Sequence, residues 1–147
     1  MLYIASDHAG FQLKNYITNF LKNQTSSVFK DLGPKVFKED DDYPDFAFAL
    51  TKEVAKNKIH KGILICGSGH GMCIAANKTK GIRAIEGYNI QGTEMGRRHN
   101  DANVLCLAGR ILSNEHAAAI ARIFLETEFA KDHRFMRRNK KIADYEK

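Results

Sequence analysis

Residues 62–71 read Gly-Ile-Leu-Ile-Cys-Gly-Ser-Gly-His-Gly, and this segment decides the fold. Its first half is a short apolar run without polar alternation, which is typical of a central parallel strand buried on both faces. Its second half carries three glycines at alternate positions, which let the backbone turn tightly and expose N–H groups. A buried strand that leads through a glycine turn into a helix predicts an α/β fold with an anion site at the turn.

The same alternation of strand and helix continues on both sides of this segment. Short apolar runs predict strands at residues 2–5, 27–32, 62–66, 82–86 and 103–107. Helical spacing of apolar residues predicts helices at residues 11–21, 43–54, 72–79, 90–99, 114–129 and 134–146, the second capped by Asp42 and the fifth by Ser113 or Asn114. Repeated βαβ units predict a parallel sheet covered by helices on both faces. No linker divides the chain, so we expect one domain over residues 1–147.

Composition excludes several classes of protein. The 147 residues are 44% apolar and 27% charged, which is a globular composition. No apolar run is long enough for a transmembrane helix, and the first residues do not read as a signal peptide. Cys66, Cys73 and Cys106 fit neither a disulfide framework nor a CxxC metal motif. We therefore expect a cytoplasmic protein without a membrane partner.

The net charge of +6 suggests an anionic partner. The excess is concentrated at residues 131–147, which carry seven basic and three acidic groups. No run of five basic residues and no nucleic-acid motif occurs, so we expect no nucleic-acid partner. On charge alone, a solvated C-terminal helix is the favoured explanation of the basic tail.

Chemically capable residues follow the predicted strands, where ligands bind in open α/β sheets. Cys66 stands at a strand end beside the glycine turn, where a thiol acts as base or nucleophile, although a lone cysteine is as often buried and inert. Asp7 and His8 follow the first strand and suit acid–base or phosphate-binding roles, while Asp7 is also a good helix cap. His99 ends a helix, where a C-cap role is the alternative.

Basic side chains can complete an anion site. Arg134 and Arg138 are four residues apart on one helix face, and Arg110 follows the fifth strand. Three guanidinium groups can clamp a phosphate, although solvent exposure is the simpler reading of the tail pair alone. No HExxH motif or His-Cys cluster occurs, so we expect no metal. The glycine turn is neither a Walker A loop nor a GxGxxG motif.

The whole chain resembles the type B ribose-5-phosphate isomerases, within the ribose, allose and galactose phosphosugar isomerases. The shared motifs are Ser6-Asp7-His8-Ala9-Gly10, Asp42-Tyr43-Pro44, residues 66–71 with Ile74-Ala75-Ala76-Asn77-Lys78, Gly81-Ile82-Arg83-Ala84, residues 98–104, Gly109-Arg110, Arg134 and Arg138. The resemblance implies a single Rossmann-like α/β/α domain with a five-stranded parallel sheet and a C-terminal helix. It implies a homodimer or a dimer of dimers with active sites shared between subunits.

The resemblance also implies a reaction. Ribose 5-phosphate and ribulose 5-phosphate would interconvert through an enediolate, in the pentose phosphate pathway and without a cofactor. Cys66 would move the proton between C1 and C2, and His99 would assist ring opening with help from Asp7. Ser68 would hydrogen-bond the reacting oxygens.

The remaining roles concern substrate binding. The backbone amides of the turn would stabilise the enediolate, and these belong to Gly67, Ser68, Gly69, His70 and Gly71. The phosphate would be held by His8, Arg110, Arg134 and Arg138. Tyr43 and Asn100 would contact sugar hydroxyls or line the pocket.

Two positions depart from the family pattern, and two other functions stay open. Ser68 stands where Thr is frequent, which preserves the hydroxyl, and His70 stands where an aliphatic residue is common. A six-carbon sugar phosphate, allose 6-phosphate or galactose 6-phosphate, is an alternative substrate. A non-enzymatic nucleotide or RNA binder that uses the basic tail is a more distant alternative.

Overall fold

In the computed structural model, which describes residues 1–24 and 28–146, strands and helices alternate along the chain. The strands are β1 (Leu2–Ser6), β2 (Phe29–Asp31), β3 (Lys61–Cys66), β4 (Ala84–Glu86) and β5 (Val104–Ala108). The helices are α1 (Phe11–Gln24), α2 (Tyr43–Ala55), α3 (His70–Ala76), α4 (Ile90–Asn100), α5 (Asn114–Glu126) and α6 (His133–Tyr145), and a 3₁₀ turn at His8–Gly10 precedes α1. The predicted α/β class and its five-stranded parallel sheet are confirmed.

The sheet has the strand order β2-β1-β3-β5-β4, with every neighbouring pair parallel. Right-handed crossovers decide which helices cover each face. The chain moves outward from β1 to β2 through α1 and back across the sheet through α2, so these two helices lie on opposite faces. The predicted central strand, β3, lies in the middle between β1 and β5.

Two apolar cores lie on the two faces of this sheet. Ile63 and Ile65 of β3 pack with α1 and α5 on one face. Leu64 and Cys66 of the same strand pack with α2 and α3 on the other. Each buried aliphatic side chain contributes about 1.5–3 kcal/mol, which explains why residues 63–65 are apolar without alternation.

Several predicted boundaries differ from the structure for local reasons. Helix α3 begins at His70 rather than residue 72. It ends at Ala76 rather than residue 79, where the Asn77 side chain forms hydrogen bonds with the backbone N–H and carbonyl of Ala84. Helix α5 ends at Glu126 rather than residue 129, since the backbone at Thr127 is extended. Strand β2 covers only residues 29–31 of the predicted 27–32, and residue 27 lies outside the described residues.

The C-terminal helix α6 is attached lightly. Phe135 is its buried residue, and the helix packs against the end of α4. Most of its other side chains, including Arg134 and Arg138, are exposed. The fold thus presents a basic helix on its surface. Within the described ranges, no helix combines the length and apolarity needed to span a bilayer.

Candidate active site

A cavity of about 440 Å³ opens where β1, β3 and β5 end at the same edge of the sheet. This is the position between β1 and β3 where the strand order reverses, and ligands of open α/β sheets bind there. Eight predicted site residues line it together with Ala9 and Ile111, namely Asp7, His8, Tyr43, Cys66, Gly67, Ser68, Gly71 and Arg110. The sheet therefore brings together residues that are up to 103 positions apart.

Cys66 forms part of the cavity wall, and its residue surface is 5% exposed. The backbone N–H of Gly69 donates a hydrogen bond to Cys66 Sγ at 3.2 Å. This contact fixes the sulfur at the start of the glycine turn. Gly69 has φ of 84°, in the left-handed region that glycine adopts without strain, so its position depends on the absence of a side chain.

The glycine turn is fixed from both sides. The backbone N–H of Gly109 donates to the Cys66 carbonyl at 2.8 Å, and the N–H of Arg110 donates to the Gly67 carbonyl at 3.0 Å. On the other side, the Tyr88 hydroxyl donates to the Ser68 carbonyl at 2.5 Å. The turn is thus held at its carbonyls, and Ser68 is one of the residues that line the cavity.

His70 and Gly69 belong to the turn but do not line the cavity. The His70 ring stacks on Tyr88, with 5.8 Å between centroids, and its Nδ1 lies 2.5 Å from a carboxylate oxygen of Glu86. This side chain is more than half exposed. The structure therefore places the His70 side chain outside the cavity, in contact with Glu86 and Tyr88.

Asp7 is both a helix cap and a cavity residue, so the two interpretations of the sequence are compatible. Its carboxylate accepts the N–H of Gly10 at 3.0 Å, at the start of the 3₁₀ turn. The residue is 5% exposed. Burial raises the pKa of the Asp7 carboxyl above its ordinary value, against the Gly10 hydrogen bond and the nearby His8, which lower it. A carboxyl group of this kind is suited to exchanging a proton with a ligand.

His8 has a partner that the sequence does not reveal. Its Nδ1 lies 2.7 Å from Asp41 Oδ1, and its backbone N–H donates to the same oxygen at 2.9 Å. This contact raises the pKa of His8, with smaller contributions from the charges of Asp7 and Asp41. The sequence places Asp41 within an acidic run, residues 39–42, that is typical of a solvated loop. No local pattern shows which of the four acids folds against a histidine 33 residues away.

Tyr43 and Arg110 line the cavity, and each packs directly against a glycine of the turn. A Cβ atom at Gly71 would lie 2.7 Å from Tyr43 Cζ, so the phenol ring lies directly on this glycine. A Cβ atom at Gly67 would lie 3.3 Å from Arg110 Cδ. The glycines are therefore needed for close approach as well as for the turn.

Four predicted site residues lie on other elements of the fold. His99 and Asn100 end α4, where the His99 ring stacks on Phe135 at 4.3 Å between centroids. Arg134 and Arg138 lie on α6, and the Arg134 guanidinium sits over the same Phe135 ring at 4.7 Å. None of the four lines this chain's cavity. They form a second group, on α4 and α6, that the fold keeps apart from Cys66.

The cavity group suits proton transfer on a small anionic ligand. A thiol that receives a backbone hydrogen bond supplies a base, and a histidine with raised pKa together with an arginine supplies positive charge. A volume of about 440 Å³ accepts a small metabolite. The arrangement fits abstraction of a proton next to a carbonyl, in a ligand anchored by a remote charged group.

Comparison with known proteins agrees with this chemistry. A family model described as Ribose/Galactose Isomerase matches residues 2–142. A probable ribose-5-phosphate isomerase B of Mycoplasma genitalium is 44% identical over 147 residues, covering 99% of this chain and 95% of the relative. The ribose-5-phosphate isomerase B of Mycobacterium tuberculosis is 36% identical over 146 residues, covering 99% of this chain and 90% of the relative.

A solved structure is also closely similar. The crystal structure of ribose-5-phosphate isomerase B from Mycoplasma genitalium, with bound ribulose 5-phosphate, superposes with a TM-score of 0.94 at 43% identity. The match covers 99% of this chain and 95% of that chain. At this identity and coverage the similarity extends well beyond a shared fold.

Proposed function

The chain belongs to the ribose/galactose isomerase family, and from that membership and its cavity we propose that it interconverts ribose 5-phosphate and ribulose 5-phosphate. The observation that carries the proposal is that Cys66 lines a small cavity together with His8 and Arg110. A base and positive charge that line the same cavity match a small sugar with a terminal phosphate.

Cys66 is the base of the proposed reaction. It takes the proton from C2 of the open-chain aldose and returns it to C1, while the electron pair of the broken C–H bond passes into the enediolate and the O2 hydroxyl proton is transferred to O1. One base serves both carbons because they are adjacent. The Gly69 hydrogen bond to Sγ holds the sulfur in place for this step.

Donors at the glycine turn stabilise the enediolate. Ser68 lines the cavity, and the carbonyls of the turn already accept hydrogen bonds from Tyr88, Gly109 and Arg110. Hydrogen bonds that strengthen as charge develops on the reacting oxygens accelerate the reaction. Because Gly69 directs its N–H to Cys66, we assign the oxyanion contacts to Ser68 and to the amides nearest the cavity.

The furanose ring opens before isomerisation. We assign this step to His99, with Asp7 as helper, because the raised pKa of Asp7 allows it to exchange a proton nearer to neutrality. Neither step requires a metal or an organic cofactor. The three cysteines are free, which agrees with a cytoplasmic location.

The complete site contains residues of two chains. His99, Asn100, Arg134 and Arg138 lie on α4 and α6, outside the cavity that holds Cys66. The α6 surface is basic and lightly packed, and it suits insertion against a partner. In a homodimer, or a dimer of dimers, these residues reach the partner's cavity, where Arg134 and Arg138 join His8 and Arg110 at the phosphate.

A mixing experiment tests the shared site. Cys66→Ala and Arg138→Ala are each expected to be inactive at low ribose 5-phosphate. The two variants are mixed, unfolded together and refolded. A shared site predicts recovered activity, because mixed dimers contain one site with both native residues. Sites confined to one chain predict no recovery. Arg137→Ala, on the same helix, is the matched control and should retain activity at low substrate.

A coupled assay tests the substrate. We expect ribose 5-phosphate to have a higher kcat/KM than allose 6-phosphate or galactose 6-phosphate. The family description also names galactose, so a six-carbon sugar phosphate is the second candidate. A higher kcat/KM for either hexose phosphate would replace the pentose assignment while leaving the isomerase chemistry in place.

A further inference from the structure

We propose that Asp41 is a positioning residue that holds His8 in place and aims its free ring nitrogen at the substrate phosphate. This inference rests on the proposed function, because it assigns a phosphate to the cavity. It is carried by the geometry of the two residues together.

Asp41 holds His8 at two points through one oxygen. Oδ1 accepts the backbone N–H of His8 at 2.9 Å and lies 2.7 Å from Nδ1. The two contacts fix both the main chain and the ring. With Nδ1 occupied, Nε2 is the ring nitrogen left to contact a ligand, and His8 lines the cavity.

The carboxylate is directed at His8. The Asp41 side chain is 10% exposed. Its second oxygen, Oδ2, is buried and has no hydrogen-bond partner in the portions of the chain that the structure describes. Burying a carboxylate in this way costs free energy, so the charge of Asp41 is best compensated by a protonated His8.

Aromatic packing holds the pair in place. The Phe37 ring meets the His8 ring edge-on, with 6.4 Å between centroids and 82° between planes. Phe37 also packs against Phe11 at 5.9 Å, at the start of α1. The imidazole thus has a wall on one side and the cavity on the other, which restricts its rotation.

Three charged groups face His8 from the elements around it. Asp41 precedes α2, Asp7 follows β1, and Arg110 follows β5. The two carboxylates favour the imidazolium, while burial and Arg110 oppose it. The Asp41 contact is the largest of these contributions and raises the pKa of His8 above 6.5. Without the Asp41 charge, Asp7 alone counters the effect of Arg110, which lowers the pKa of His8.

The consequence is a specific pH dependence of phosphate binding. A protonated His8 binds a phosphate dianion with a charge-assisted hydrogen bond. That contribution is full below the pKa of His8 and is lost as pH rises through it. Asp41→Asn keeps the shape of the side chain but removes its charge, so the loss should occur at lower pH.

Asp41→Asn is compared with Asp40→Asn, an exposed acid one residue away that gives the same change in net charge. The imidazole pKa of His8 is measured by NMR in the ligand-free protein, and binding of inorganic phosphate is titrated between pH 6 and 9. We expect a raised His8 pKa in the wild type, a lower value in Asp41→Asn, and no change in Asp40→Asn. At pH 7.5, phosphate binding should be about tenfold weaker in Asp41→Asn, and KM for ribose 5-phosphate should be about tenfold higher. The kcat of this variant should stay within about threefold of the wild type.

An unaltered His8 pKa in Asp41→Asn, or equal effects of the two substitutions, would overturn the inference. A second variant separates positioning from folding. In a His8→Gln background, Asp41→Asn should leave the pH dependence of phosphate binding unchanged, whereas a purely structural role predicts a further loss. The NMR and phosphate measurements do not depend on turnover, so absence of isomerase activity would refute the proposed function separately.

Discussion

Replacing Gly71 by alanine should remove Tyr43 from the cavity wall without unfolding the protein. A Cβ atom at residue 71 would lie 2.7 Å from Tyr43 Cζ and 2.9 Å from Cε2, about 0.7 Å short of ordinary contact at 3.4 Å. The phenol belongs to a residue that is 39% exposed, and it can swing outward. The backbone of α3 has no comparable freedom, so we expect the ring to move.

The magnitude follows from two opposing contributions to stability. Overpacking against a mobile ring costs about 1 kcal/mol, at the low end of measured values. Alanine in place of glycine inside a helix returns about 0.5–1 kcal/mol. The free energy of unfolding should therefore stay within about 0.5 kcal/mol of the wild type. We expect Tyr43 to contact a sugar hydroxyl, and loss of that one hydrogen bond should lower kcat/KM about threefold to tenfold.

Steady-state kinetics with ribose 5-phosphate and urea unfolding measure both effects. A double-mutant cycle with Tyr43→Ala gives the decisive comparison. In the Tyr43→Ala background, Gly71→Ala should change kcat/KM less than about twofold. Independent, multiplying effects of the two substitutions, or an unchanged kcat/KM in Gly71→Ala, would refute the reasoning.

Other substitutions test the electrostatics of the fold and the site. Burial raises the pKa of Asp7, so wild-type stability should fall as pH rises from 3.8 through that raised pKa. Asp7→Asn should lose activity and should lack this part of the decline in stability, which urea unfolding between pH 3 and 7 measures. Burial, together with the nearby Arg97, lowers the pKa of Lys61 to about 8. The wild type should therefore gain stability relative to Lys61→Met as pH rises from 8 to 10.5, and an equal dependence of stability on pH in both proteins would contradict this. Lys14 is 1% exposed and pairs with Asp31 at 2.8 Å, while Asp31 is 20% exposed. Lys14→Met should therefore lower the free energy of unfolding by about 2–4 kcal/mol, somewhat less than loss of a fully buried pair, and an unchanged Tm would contradict this.

The strands could be predicted from the sequence because each is short, apolar and bounded by turn residues. The segment at residues 62–66 gives the central strand, and its unbroken apolar run reflects burial on both faces. The order of strands in the sheet could not be predicted, since it depends on which pairs meet through long crossovers. Helix ends were displaced where a side chain such as Asn77 made a tertiary hydrogen bond.

The candidate site was predictable where a residue ends a strand, as Cys66 does, or closely follows one, as Asp7 and Arg110 do. Asp41 could not be found, because its partner is distant in sequence and its neighbours have the same charge. The separation of Arg138 from the cavity could not be predicted either, since helical spacing shows which face of a helix a residue occupies but not where that helix packs. Whether these residues act as assigned stays a prediction.

The turnover of Cys66→Ala tests the central claim most directly. The account predicts that kcat for ribose 5-phosphate falls by about 10²–10⁴-fold, while binding of inorganic phosphate stays within twofold of the wild type, because the sulfur moves the proton and His8 and Arg110 hold the phosphate. A Cys66→Ala protein that isomerises ribose 5-phosphate at the wild-type rate would contradict it.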